Sequence, residues 1–249
     1  MDQCRCHAIV LAVMDFRDND RIVTLCTLPH GKLRGVAKGA KKSVRRFGGA
    51  LEPFAHLEVE LTLREGLSSL HSADIVTVFP HIREDLLKIG HAGYAVELTD
   101  RLLPEAAPVP RLFRLLAAYL EYLDGATASP SDRRFFEVNL LNILGYRLAL
   151  DHCGRCGVDL APTAERRIGA AGAVHCPACG RTGRILSPPA VALLEGALRT
   201  GRFGVVNFPA SLLPEVAPLI DGAIAAHLSR PLNSLTFLRQ VDPDLGLSV

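Results

Sequence analysis

The sequence has no tryptophan, no apolar run near the roughly 20 residues that a membrane-spanning helix needs, and no basic-then-apolar opening across residues 1–7. These absences argue against a helical membrane protein and against a secretory leader, so a cytoplasmic chain that does not engage membrane is expected. The seven cysteines are an odd number. That ill suits a secreted disulfide framework and suits a compartment in which thiols stay reduced or hold metal. Internal repeats and low-complexity tracts are also lacking. What is there is a folded chain of 249 residues, 49% apolar and 22% charged, long enough for one large domain or two small ones.

Acidic residues are missing from one stretch altogether. Between Asp20 and Glu52 stand Arg21, Lys32, Arg34, Lys38, Lys41, Lys42, Arg45 and Arg46 without a single carboxylate, although the net charge of the whole chain is only +2. A local excess of this kind makes a positive field that attracts polyanions, nucleic acid before an anionic membrane. Glycines 31, 39, 48 and 49 let the backbone approach a strand, and Phe47 offers either a stacking face or a core anchor. Aromatics are scarce around it, with only Phe16, Phe54 and Phe79 besides, so backbone electrostatics should dominate. Lys32, Arg34, Lys38, Lys41, Lys42, Arg45 and Arg46 are therefore the candidate nucleic-acid ligands. The stretch 39–43 does not fit the glycine and lysine spacing of a nucleotide phosphate loop, which leaves ATP hydrolysis without support.

Residues 8–14 and 21–27 are aliphatic, β-branched runs around a polar turn, a hairpin pattern. Further strands are predicted at 33–37, at the alternation Leu57, Val59, Leu61, Leu63, and at 70–79. Five short strands in about 80 residues, without long helices between them, point to a closed OB-type barrel. Helical spacing follows at 82–103, 110–123, from Ser129-Pro130 towards 150, from Ser187-Pro188 to Gly201, and at 213–228. The expected architecture is α+β: a DNA-binding barrel over residues 1–80 and a mostly helical domain over 81–249, with an insert at 151–183.

The insert carries the most specific chemical signal. Cys153 and Cys156 form one Cys-x-x-Cys pair, Cys176 and Cys179 a second, and each is followed by glycine, Gly157 and Gly180. Two such knuckles bring four thiolates onto one tetrahedral zinc ion, and four protein ligands leave no open position for water, so the zinc is expected to be structural. His152 and His175 adjoin the pairs as alternative ligands. A redox pair would stand alone at a helix start, and two disulfides do not suit the expected compartment.

Other patterns carry less. His56 and Glu58 mimic a deaminase element, but in a predicted strand far from the cysteines. Cys4, Cys6 and His7 begin a strand, and Cys26 reads as core. Arg133, Arg134, Phe135 and Phe136 open a helix that would bury its phenylalanines and expose its arginines, or less plausibly offer a basic-rimmed groove to an acidic peptide tail. No catalytic constellation emerges, and the chain is expected not to be an enzyme. A zinc-stabilised adaptor that does not touch DNA is the alternative.

The segment 20–25 (DRIVTL), Gly31 to Leu33, and Val36 through Phe47 running on to residues 51–54 (LEPF) resemble the N-terminal domain of bacterial RecO. The resemblance continues through Leu144-Gly145-Tyr146, Arg230-Pro231-Leu232 and Phe237-Leu238, and so spans nearly the whole chain. It implies an OB-fold followed by a helical domain with a zinc finger, in a DNA repair and recombination mediator. Such a protein binds single- and double-stranded DNA, anneals complementary strands, and is cytoplasmic and nucleoid-associated. The resemblance further implies three partners: RecR, the acidic C-terminal tail of single-stranded-DNA-binding protein, and the recombinase RecA, which it helps to load. It implies no catalytic residues.

Overall fold

The computed structural model describes residues 3–242; the outer ends of both expected domains, residues 1–2 and 243–249, lie outside them. Among the described residues, five strands close a barrel: β1 (Gln3–Phe16), β2 (Asp20–Thr27), β3 (Gly31–Ala37), β4 (His56–Thr62) and β5 (Leu67–Thr77), joined in the order β1-β2-β3-β5-β4. All neighbours are antiparallel except β3 and β5, whose parallel pairing of residues 34–37 with 67–70 closes the ring. This is the five-stranded OB-type barrel expected from the strand pattern. The reason lies in the alternation: Ala8, Val10, Val23, Leu25, Leu57, Val59, Leu61, Leu70 and Ala73 all turn into one core, as a period of two requires of a sheet with a wet outer face. Register shifts in β1 between Val10 and Ala12, and in the β4–β5 pairing, supply the bending that closure needs.

Between β3 and β4 sits the single turn α1 (Val44–Phe47), where the sequence had suggested only a basic loop. The predicted helix 82–103 is two helices, α2 (Pro80–Arg83) and α3 (Leu86–Leu102). The break is Asp85, whose carboxylate accepts from the amides of Leu87 and Lys88 as an N-cap. Helix α4 (Pro110–Gly125) follows, then α5 (Pro130–Ile143), which starts on the Ser129 cap but stops short of 150 where Gly145 takes φ of 85°.

A small sheet comes next, made of β6 (Arg166–Ile168), β7 (Val174–His175) and β8 (Arg184–Leu186) in the order β7-β6-β8, with a 3-10 turn at Ala170–Gly172. Helices α6 (Pro188–Arg199), α7 (Leu213–Ala225) and α8 (Asn233–Val241) complete the described chain. No helix among the described residues is long and apolar enough to cross a membrane.

Two compact units result. One takes the chain up to Thr127 together with Ser234–Val241; the other is Ala128–Asn233. Within the first, α8 packs on α3: Leu238 is fully buried against Gly90, and the amide of Ser234 donates to the Glu97 carboxylate at 2.8 Å. The same unit holds a buried pair, His91 and Tyr119.

Within the second unit, α5 departs from its expected amphipathic form. Arg133 and Arg134 are 0% and 1% exposed, so the helix buries its arginines along with its phenylalanines. Arg134 donates to Glu137 at 2.8 Å and to both carboxylate oxygens of Asp221 on α7, at 2.5 and 3.2 Å. Arg133 lies 3.4 Å from the other oxygen of Glu137. The charges are tolerated because they are matched and hydrogen-bonded inside. A basic rim for an acidic peptide tail is therefore not formed by these two residues.

Candidate nucleic-acid interface and metal centre

The basic stretch is not a loose loop. Phe47 is 2% exposed and joins Ala50 and Leu51 in the barrel core, so it is an anchor and does not present a stacking face. The segment leading to it is folded on itself. The Asp20 carboxylate accepts the Gly39 amide at 2.8 Å, Lys41 N donates to the Asn19 carbonyl, and the Arg46 guanidinium donates to the Lys38 carbonyl and the Ser43 hydroxyl. Gly39 adopts φ of 66°, a left-handed conformation natural to glycine.

On this frame the candidate ligands separate. Lys38, Lys42 and Arg45 are exposed on the folded segment, and Arg34 is exposed on β3. Arg46 is exposed but bound to its own segment. Lys41 is exposed and pairs with Asp15 at 3.0 Å, and that ammonium holds the Asp15 carboxyl below the usual carboxylate range. Lys32 stands apart from the rest: its ammonium donates to the Asp100 carbonyl at 2.6 Å and lies 3.5 Å from the Asp100 carboxylate, with the side chain only 13% exposed. It ties β3 to α3.

One neighbour escaped the sequence reading. Arg17, in the β1–β2 turn, is exposed with its guanidinium 5.0 Å from the centre of the half-exposed Phe16 ring. That turn is bonded to the basic segment through Asn19. The flanking acids Asp15, Asp18 and Asp20 hid Arg17, yet Asp15 and Asp20 are engaged in holding the segment.

In the second unit the four predicted cysteines meet. The sulfurs of Cys153, Cys156, Cys176 and Cys179 all lie within 4.8 Å of one another, and those of Cys156 and Cys176 are 3.9 Å apart. Thiolates held tetrahedrally at about 2.3 Å from a metal stand about 3.8 Å apart, so the set fits an ion at its centre. Each knuckle turns as expected: the Gly157 amide donates to the Cys153 carbonyl at 2.8 Å and the Gly180 amide to the Cys176 carbonyl at 2.9 Å.

The electrostatics also suit a cation. Burial opposes ionisation of Cys153, but donors from the Cys156, Cys176 and Arg155 backbone outweigh it and bring the thiol down to about 5. Hydrogen bonding with the Cys156 and Cys176 sulfurs pushes Cys179 up to about 12. With Cys153 ionised, a further charge on Cys179 beside it is opposed until a cation shares it. Among the described residues the cluster consists of cysteines alone: His152 turns to Asp151 at 2.8 Å, and the His175 ring lies against Gly169.

At the start of β6, Arg166 is 1% exposed and donates to the carbonyls of Leu150 and Ala164, both at 2.8 Å, and of Leu160 at 3.3 Å. A guanidinium here gathers backbone oxygens that the short strands leave unpaired. Gly172 packs so closely on α7 that a methyl would stand 2.6 Å from Ala223 Cβ, which fixes the insert to the helices.

The comparisons with known proteins agree along the chain. The family model described as Recombination protein O N terminal matches residues 1–79, and that described as Recombination protein O C terminal matches residues 83–236. The DNA repair protein RecO of Geobacter sulfurreducens is 67% identical over 243 residues, covering 98% of this chain and 100% of that protein. The DNA repair protein RecO of Geobacter metallireducens is 64% identical, with coverage of 98% and 100%. That of Myxococcus xanthus is 40% identical, with coverage of 95% and 97%.

Proposed function

Because the chain belongs to the RecO family of DNA repair and recombination proteins, we propose that it is a non-catalytic mediator. It binds single- and double-stranded DNA, anneals complementary strands, and helps load a RecA-type recombinase onto DNA coated by single-stranded-DNA-binding protein. RecR and the acidic tail of the coating protein are its further partners in this reading, and the nucleoid is where it acts. Residues 1–80 form the DNA-binding domain, with Arg34, Lys38, Lys41, Lys42, Arg45 and Arg46 facing phosphates and Lys32 bracing the barrel.

The observation that carries the reading is the folded basic segment, which holds Lys38, Lys42 and Arg45 out from a barrel that Phe47 anchors from within. Cations on a fixed frame neutralise a phosphate backbone without reading bases, because the contact is electrostatic and releases counterions. With Phe47 buried, base stacking contributes little and binding is indifferent to sequence.

The four cysteines hold zinc in this proposal. Zinc ties the two knuckles together and, with four thiolates, keeps no position for a reactive water. Arg166 and the glycine contacts then shape the insert around it.

Affinity for a fluorescent single strand, measured across a salt series, tests the reading. Wild type is expected to bind with a steep slope, and the variant Lys38→Ala, Lys42→Ala, Arg45→Ala to lose slope by about 2, at about 0.7 per phosphate contact. A wild-type chain that binds no DNA would leave the adaptor function in its place.

A further inference from the structure

Resting on the reading that this chain binds DNA, we propose that Phe16, with Arg17 beside it, is a stacking face for one unpaired base and gives the barrel a preference for single strands over duplex. Phe47 is withdrawn into the core, so a base meets no ring on the basic segment itself. The β1–β2 turn, which is bonded to that segment, keeps a ring partly in solvent.

The register places this ring. Phe16 is the last residue of β1 and stands opposite Asp20, the first of β2. The Asp20 carboxylate accepts the Gly39 amide at 2.8 Å, next to Lys38, and the Lys41 amide donates to the Asn19 carbonyl at 3.1 Å. Two hydrogen bonds therefore join the turn to the segment that bears the cations. Two residues back along β1, on the same face as Phe16, Met14 is 53% exposed and stands opposite Ile22. Ile22 pairs in turn with Val36 and Thr24 with Arg34, which brings Arg34 onto this face as well. Exposed apolar side chains and a candidate phosphate ligand thus share one sheet face.

The turn is held in a conformation that suits its residue poorly. Arg17 takes φ of 52°, a left-handed region that Asp18 or Asn19 would enter more readily. Its guanidinium lies 5.0 Å from the centre of the Phe16 ring and steadies it by a cation–π contact. Backbone strain kept at an exposed turn is a mark of function.

Charge decides what the ring can take. Asp15, Asp18 and Asp20 outnumber Arg17 in and beside the turn, although Asp15 is engaged by Lys41 and Arg21 and Asp20 by Gly39. Phosphates are disfavoured there and favoured along the basic segment, so what suits Phe16 is the uncharged face of a base. Every base has such a face, and an unpaired strand exposes it where a duplex presents only base edges in its grooves. One ring adds modestly to an affinity that phosphates dominate, and it adds nothing to counterion release.

The chain has no tryptophan, so Phe16→Trp introduces a sole emitter at the site. Full-length wild type, Phe16→Leu, Phe16→Tyr, Phe16→Trp, the exposed control Leu86→Trp and Lys38→Ala/Lys42→Ala/Arg45→Ala are titrated with oligothymidylate and with duplex of equal length across a potassium chloride series. Phe16→Leu should lose about 5-fold or more in oligothymidylate affinity at an unchanged salt slope, and keep its affinity for duplex. Phe16→Tyr should bind as wild type. Emission of Phe16→Trp should be quenched by oligothymidylate and not by duplex, and that of Leu86→Trp by neither. Urea midpoints establish that Phe16→Leu is folded; should it unfold, the emission of Phe16→Trp decides alone. Wild-type strand affinity in a folded Phe16→Leu, an equal loss on strand and duplex, or unquenched Phe16→Trp at saturation overturns the proposal. A lowered salt slope in Phe16→Leu also overturns it, by assigning the ring to the support of the cations. If the Ala set lowers the slope while Phe16→Leu changes nothing, the barrel reading stands and this proposal falls. If wild type binds neither form of DNA, the barrel reading itself fails, and the proposal with it.

Discussion

Gly31 of β3 lies against the backbone of Ala107, so close that a methyl group at Gly31 would stand 2.0 Å from the Ala107 carbonyl oxygen. The contact continues where the Ala106 amide donates to the Lys32 carbonyl at 3.0 Å and Lys32 reaches Asp100. Together they seat the loop between α3 and α4 on the edge of the barrel. Gly31→Ala should destabilise the protein by about 2 kcal/mol or more, since it adds a clash with backbone to the cost of φ at 69°. Gly49→Ala is the control: φ is 79° there but nothing lies within 4 Å, so only the conformational cost of about 1 kcal/mol remains. Urea unfolding of both variants measures the difference.

Removing Arg134 from the α5 ion network takes a cation from the fully buried Glu137 and from the partly buried Asp221. Arg134→Met should cost about 3–5 kcal/mol. Arg134→Lys should also be costly, because an ammonium cannot reproduce the fork that meets both oxygens of Asp221. Chemical denaturation checks both; a loss below about 1 kcal/mol would refute the network's role.

Chelation should release one metal ion per chain and speed amide exchange across residues 151–183, while exchange in β1 to β5 stays at its starting rate. Hydrogen exchange read by mass spectrometry distinguishes this from global unfolding. The expectation follows from where the ligands lie, all of them in the second unit.

His56 provides a pH dependence. Burial lowers its pKa, and so does His7, whose Nδ1 lies 3.2 Å from the His56 ring; Glu121 pulls weakly the other way. With the folded value depressed, the unfolded chain takes up the proton first as pH falls through about 6.5, so stability declines from there until the folded value is reached. His56→Gln should flatten this decline. Urea midpoints at pH 7.5, 6.5 and 5.5 give the comparison, and parallel curves for the two proteins would exclude His56 as the source.

Much of this was legible because it is local. The alternation at Leu57, Val59 and Leu61 names the barrel face, Ser129 and Ser187 start their helices, and cysteine spacing names the cluster. What escaped depends on partners distant in sequence. Lys32 reads as one more cation until Asp100 is placed beside it, and Arg133 and Arg134 read as surface charge until Asp221 arrives from α7. Phe47 could have stacked on bases or filled the core, a choice that only the closed barrel decides. Asp85 splits a continuous apolar pattern by capping, and α8 is too short to stand out from its surroundings.

The return of α8 to α3 means that the first unit is assembled from two pieces of chain separated by all of the second. On a ribosome, the barrel and its first helices emerge early but leave the Gly90 face of α3 uncovered until residues 128–233 have been made and α8 follows. The part of the protein that emerges first is thus sealed only after the four-cysteine part exists. Completion of the barrel-bearing unit therefore waits until the whole intervening chain has been synthesised.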